Sequence, residues 1–162
     1  MIAIGLTSGL GSIAYSVLDV SSENSEVLWW EVMPGPRKRR KVSHYRRYKA
    51  HRLMLSIIFD RWPPTVIALG PPSTDDEPVE WVVFMRSAIF ELGGYLGVPV
   101  ELFDTDEKIA EGLGAEDCGR GNGLKSLVRR RISTFNSNKR RVILATATAM
   151  AGANRLESSL SV

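Results

Sequence analysis

The chain has 162 residues, of which 44% are hydrophobic and 24% charged, with a formal net charge of +3. This composition is ordinary for a globular protein, and the length predicts one domain over residues 1–153 with a C-terminal tail over 154–162. No window holds the ~18 uncharged apolar residues of a membrane span, and the first residues lack a basic leader. We therefore expect a cytoplasmic protein that does not bind membranes.

The first third of the chain predicts three β-strands. Ile2, Ile4 and Leu6 alternate with small residues, and a Gly/Ser turn separates them from a second β-rich run over residues 13–20. A third run covers residues 27–33 and ends at a Pro-Gly-Pro sequence. Short connections between such runs favour antiparallel hairpins.

The middle of the chain alternates helices with short strands. Ser43 is a predicted N-cap, and apolar residues from Ala50 to Ile58 recur at helical spacing. The predicted elements that follow are a strand over 65–69, a helix over 79–96 and a strand over 100–103. A chain turn at Gly97-Val98-Pro99 separates the last two.

The last third predicts helices only. A short acidic helix starts near Asp104 and ends at Leu113, a second helix covers 124–135, and a helix of small residues covers 142–153. The main elements follow the order β-β-β-α-β-α-β-α-α. That order predicts an α/β fold with a mixed five-stranded sheet, antiparallel on one side and parallel on the other, and helices on both faces.

The positive charge is concentrated in two segments that contain no acid. Residues 37–52 carry nine Lys or Arg, residues 120–141 carry eight, and the other four lie among all 18 acids. Segregated charge attracts polyanions, and nucleic acid is the polyanion that such segments typically bind. The predicted nucleic-acid-binding residues are Arg37, Lys38, Arg39, Arg40, Lys41, Arg46, Arg47, Lys49, Arg52, Arg129, Arg130, Arg131, Lys139, Arg140 and Arg141. The alternative is that these segments are solvated helix faces or basic arms.

Three stretches resemble a known fold family. Residues 3–19 (AIGLTSGLGSIAYSVLD), 60–70 (DRWPPTVIALG) and 86–107 (RSAIFELGGYLGVPVELFDTDE) are similar to the first hairpin, fourth strand and fifth strand of ribonuclease H-like proteins. The closest pattern is that of RuvC-type Holliday-junction resolvases and YqgF-type nucleases. The resemblance implies the ribonuclease H-like fold, a nucleic-acid partner such as a DNA junction or structured RNA, and a homodimer.

The residues at the family's catalytic positions depart from its pattern. Family members cut phosphodiesters with carboxylates that hold divalent metals. The first-strand Asp of the family falls on Thr7 and the fourth-strand Glu falls on Gly70, while the last helix has no acid before Glu157. The resemblance therefore implies a nucleic-acid-binding protein without the standard metal-dependent nuclease activity, and we expect no cofactor.

Two alternatives remain open. The first is an active endonuclease, dependent on Mg or Mn, with a displaced acidic site. Its candidate catalytic residues are Asp75, Asp76, Glu77, Asp104 and Asp106, although acids at helix N-termini also have a purely structural explanation. The second is a protein-interaction or assembly subunit, in which exposed aromatic residues and the basic segments bind an acidic protein.

Overall fold

The computed structural model describes residues 1–9, 12–20, 25–33, 43–72, 79–115 and 123–161. Within these ranges the chain forms five strands and five helices. The strands are β1 (Ile2–Gly9), β2 (Ser12–Asp19), β3 (Glu26–Met33), β4 (Val66–Leu69) and β5 (Val100–Leu102). The helices are α1 (His44–Arg61), α2 (Val79–Leu96), α3 (Asp106–Gly112), α4 (Gly123–Arg131) and α5 (Arg140–Leu160).

The five strands form one mixed sheet in the order β3-β2-β1-β4-β5. Strands β1, β2 and β3 pair antiparallel, whereas β4 pairs parallel to β1 and β5 pairs parallel to β4. This arrangement confirms the predicted mixed sheet. Because β3 also runs in the direction of β1, four strands have their carboxyl ends at the same edge. We call this the carboxyl edge of the sheet.

The helices cover both faces of the sheet, as predicted. Apolar side chains of α1 and α2 pack with β-strand residues such as Ile4, Leu6 and Ile67 in one core cluster. Helices α3, α4 and α5 pack on the other face with Ala3, Leu18 and other strand residues in a second cluster. The alternation of side chains along each strand assigns successive residues to these two cores.

Helix α5 lies against the sheet because small residues face each other across the contact. A Cβ atom added to Gly5 on β1 would lie 2.6 Å from the backbone nitrogen of Ala149, and one added to Gly152 on α5 would lie 2.6 Å from the Ala68 Cβ. At this separation between α5 and the sheet, no side chain larger than that of glycine fits at Gly5 or Gly152. The prediction that this helix ends near residue 153 is wrong, because α5 continues to Leu160.

Local signals at helix ends agree with the structure. The Ser43 hydroxyl accepts a hydrogen bond from the Arg46 backbone N–H, as expected of an N-cap. Gly97 has a φ of 67° and ends α2, where its freedom to adopt the left-handed region is needed. The prediction that the fourth helix reaches residue 135 is wrong. Helix α4 ends at Arg131, and residues 132–139 connect it to α5 without helical structure.

Candidate nucleic-acid interface

The carboxyl edge carries the starts of α3 and α5. Helix α1 begins after β3 ends at this edge, and it returns the chain to the opposite edge, where the Thr65 N–H donates to the Ile2 carbonyl at 2.7 Å. The start of α5 lies beside the start of β2, because the Arg141 guanidinium donates to the Ser12 hydroxyl, and Ser12 pairs with Gly9 at the end of β1. Helix starts and the ends of parallel strands therefore share one side of the molecule, which is the usual location of sites in such folds.

Neutral side chains occupy the centre of this edge. Thr7 is fully buried near the end of β1, and its hydroxyl donates a hydrogen bond to the Pro71 carbonyl at 2.7 Å. The Gly70 N–H donates to the Leu6 carbonyl at 2.8 Å, which joins the two strand ends. These bonds connect β1 to the segment after β4 without a charged group.

Helix α5 fills the space beside Gly70. A Cβ atom added to Gly70 would lie 2.6 Å from the Thr148 Oγ1, closer than real Cβ atoms come to a neighbour. The Thr148 hydroxyl itself donates to the Leu144 carbonyl at 2.8 Å and is completely buried. A glutamate at position 70 would thus require α5 or the Thr148 side chain to move.

Two of the candidate acids lie at this edge but in different environments. The Asp104 carboxylate is 2.9 Å from the Arg86 guanidinium and 3.7 Å from the Lys108 ammonium. Asp106, the first residue of α3, is half-buried, and burial raises the pKa of its carboxyl although the nearby charge of Arg140 lowers it. Asp75, Asp76 and Glu77 lie outside the described residues. Within the described part of the chain, no three His, Cys, Asp or Glu side chains form a metal-binding cluster.

The first basic segment contributes exposed cations along α1. Arg46 and Lys49 are exposed, and the Lys49 ammonium lies 4.7 Å from the centre of the Tyr45 ring. The Arg52 guanidinium pairs with the Glu91 carboxylate at 2.8 Å, so part of its charge is already neutralised. Arg37, Lys38, Arg39, Arg40 and Lys41 lie outside the described residues, as does the side chain of Arg47.

The second basic segment covers the end of α4 and the start of α5. Arg130 and Arg140 are exposed, whereas the Arg129 guanidinium donates to the Asn138 side-chain oxygen at 2.8 Å. The Arg131 guanidinium donates to the Leu113 carbonyl at 2.6 Å, and the Lys139 ammonium lies 5.6 Å from the centre of the Trp30 ring. Arg131 and Arg141 therefore have structural contacts in addition to any role in binding.

The two basic segments lie on elements that pack on opposite faces of the sheet. Helix α1 belongs to one core cluster and helices α4 and α5 to the other. The contact between Arg141 and Ser12 places the start of α5 at the carboxyl edge, whereas the described contacts of Tyr48 and Arg52 on α1 are with Glu91 of α2. Nothing in the sequence spacing of the two segments indicates this, since they are about eighty residues apart.

The two tryptophans of β3 face opposite sides of the sheet, as expected for neighbours on a strand. Trp29 is 42% exposed and lies under the Arg61 guanidinium at 5.3 Å, while Trp30 packs against the α5-side core. Sequence reasoning missed Arg61 as a partner of Trp29. It also missed Lys125 and Asn138, which line a cavity with Arg140. Arg61 lies outside the two basic segments, and the charge pattern of the second segment does not single out Lys125 or Asn138.

The folded chain is similar to solved resolvase structures. The mixed sheet, its strand order and the helices on both faces define the RuvC-type ribonuclease H-like fold. Thermus thermophilus RuvC superposes with a TM-score of 0.83 at 16% identity, with 98% of this chain and 97% of that chain covered. The structure of T. thermophilus RuvC in complex with a Holliday-junction substrate superposes with a TM-score of 0.77 at 15% identity, covering 98% of this chain and 96% of that one.

A eukaryotic resolvase has the same architecture. The yeast mitochondrial Holliday-junction resolvase Ydc2 superposes with a TM-score of 0.65 at 12% identity, with 98% of this chain and 79% of that chain covered. No family model matches the sequence, and the search of curated proteins found no match. At these identities the comparisons establish the fold. In the part of the chain that the structure describes, no helix is both long and apolar enough to cross a bilayer.

Proposed function

We propose that this protein binds nucleic acid through the carboxyl edge of its RuvC-type fold and lacks the standard metal-dependent nuclease activity. The observation that carries the proposal is that exposed cations of the second basic segment begin α5 at the edge where Thr7 and Gly70 stand in place of the family's carboxylates, while exposed cations of the first segment lie along α1 on the other face. Phosphate contacts from Lys and Arg supply affinity without reading sequence. The predicted cytoplasmic location is part of the same proposal.

The substrate we favour is branched or structured nucleic acid. T. thermophilus RuvC, which has the same fold, has been solved in complex with a Holliday-junction substrate. Cations on elements that cover both faces of a sheet suit a polyanion with more than one arm better than a single straight duplex. A four-way DNA junction and a structured RNA are therefore the first substrates to compare.

The ion pairs of Asp104 weigh against the alternative of an active nuclease with a displaced acidic site. A metal ion bound by Asp104 would compete with Arg86 and Lys108 for the same carboxylate oxygens. Mg or Mn is a cofactor only under this alternative. Cleavage that depends on either metal and is abolished by Asp104→Asn would establish it.

We also propose that the chain forms a homodimer. Leu53 and Ile57 are four residues apart on α1 and are 63% and 58% exposed, and Val83 and Phe90 on the adjacent helix α2 are 54% and 46% exposed. Large apolar side chains that are exposed to solvent on neighbouring helices typically mark a contact with another protein. The same face would serve the alternative of an assembly subunit that binds a different protein.

The test is an electrophoretic mobility shift with a four-way junction, a duplex of equal length and a structured RNA, at low and moderate salt, with and without Mn²⁺. We expect shifts that weaken steeply with salt while the substrate stays intact. Arg140→Gln should weaken the shift. Arg155→Gln is the matched control, because Arg155 already pairs with Glu101 at 3.4 Å. No shift with any substrate at low salt would refute nucleic-acid binding, and Mn²⁺-dependent cutting would refute the loss of activity.

A further inference from the structure

A small cavity lies at the carboxyl edge between the first turns of α3, α4 and α5. Its volume is about 190 Å³, below the ~300–1,000 Å³ of clefts that enclose drug-sized ligands. Leu124, Ile143 and Leu144 form its apolar lining, and the last two are largely buried in the core. A cavity of this size with an apolar wall suits one planar ring rather than a whole nucleotide.

The polar lining of this cavity, which we call the α4–α5 cavity, has both signs of charge. Lys125 lies in the first turn of α4 and Arg140 in the first turn of α5. The N-terminus of α5 carries Lys139, Arg140 and Arg141 with no acid in its first turn and no side-chain cap. Cations in this position are repelled by the positive end of the helix dipole. A bound phosphate group would offset the charge of the cations and the positive end of the dipole together.

Asp106 indicates that the occupant is more than an anion. Its carboxylate lines the same cavity and is half-buried there. A free phosphate would be repelled by this group, whereas an amino group of a base would donate a hydrogen bond to it. Among the bases, cytosine presents an amino donor at C4 where thymine presents a carbonyl acceptor.

We propose that the α4–α5 cavity binds one unstacked base that carries an exocyclic amino group, with its flanking phosphates on Lys125 and Arg140. The ring packs against Leu124, Ile143 and Leu144, and the Asp106 carboxylate accepts the hydrogen bond from the amino group. This inference rests on the proposed nucleic-acid binding and adds a preference among bases that the phosphate contacts do not provide. An unpaired strand end or a branch point would supply such a base.

The test compares binding of (dC)8 and (dT)8 by fluorescence anisotropy at pH 7.5 and low salt. The two oligonucleotides have equal charge and differ at the C4 group that faces Asp106, at N3 and at the C5 methyl group of thymine, which would favour (dT)8 in an apolar cavity. One charge-assisted hydrogen bond predicts about tenfold tighter binding of (dC)8. Asp106→Asn should bring the two affinities within about twofold, because an amide can donate to thymine as well as accept from cytosine.

Two further variants distinguish the base contact from the phosphate contacts. Glu107→Gln removes the neighbouring charge of the same helical turn outside the cavity and should preserve the preference for (dC)8. Arg140→Gln should weaken binding of both oligonucleotides about equally. Equal binding of (dC)8 and (dT)8 by the natural chain, or a preference that survives in folded Asp106→Asn, would overturn the inference while leaving the proposed function intact. Failure to bind either oligonucleotide or any junction would overturn both.

Discussion

The substitution Gly70→Ala tests whether α5 excludes a side chain at position 70, where the resemblance places the family's glutamate. The new Cβ atom would lie 2.6 Å from the Thr148 Oγ1 and 3.5 Å from the Leu6 carbonyl oxygen. Overpacking of a core by one methyl group costs about 1–3 kcal/mol. For a chain of this length the corresponding decrease in Tm is roughly 2–12 °C.

A double-mutant cycle with Thr148→Ala isolates this contact. Thr148→Ala alone removes a buried hydroxyl that donates to the Leu144 carbonyl, a loss of about 1 kcal/mol. In the double variant the methyl group at position 70 meets an alanine, so the two changes together should cost about 1–2 kcal/mol less than their sum. Urea unfolding followed by circular dichroism gives the four free energies of unfolding.

Gly94→Ala is the matched control. Gly94 lies in α2, and a Cβ atom there would have no neighbour within 4 Å. Alanine is preferred to glycine in a helix by about 0.5–1 kcal/mol, so this variant should be as stable as the natural chain or more so. A Gly70→Ala variant that matches the natural chain in stability, or a cycle without coupling, would show that α5 does not exclude a side chain at position 70.

Three other predictions concern titration, binding and assembly. Burial and the hydrogen bond to Glu31 raise the pKa of Tyr15 to about 12, so the stability that Tyr15 contributes is complete below about pH 10 and is lost as the pH rises to 12. In urea unfolding, the free energy of unfolding of Tyr15→Phe should therefore fall less over this pH range than that of the natural chain. An equal fall in both proteins would contradict the assignment. Arg46→Gln should reduce the slope of log Kd against log salt concentration by about one, the value of a single phosphate contact. An unchanged slope would place Arg46 outside the interface. Leu53→Glu should convert the proposed dimer to a monomer in sedimentation equilibrium, whereas a monomeric natural chain would refute the dimer.

Local patterns were sufficient to predict the elements and their arrangement. Alternating Ile2, Ile4 and Leu6, the Ser43 cap and the turn at Gly97 each act over a few residues, and all three are borne out by the structure. Strands in this order, connected by hairpins and then by helices, have few permitted arrangements. The length of α5 was not predictable, because residues 154–160 continue the helix without a regular apolar pattern.

The candidate site depended on contacts between distant parts of the chain. The sequence by itself determined the fold class, the two acid-free basic segments and the neutral residues at Thr7 and Gly70. Only the tertiary structure decided that Thr148 packs over Gly70, that Arg86 pairs with Asp104, and that Asp106 and Arg140 line one cavity. The physical reason is that local patterns record which side of an element is buried, whereas the partner of a given side chain depends on how elements far apart in sequence pack together.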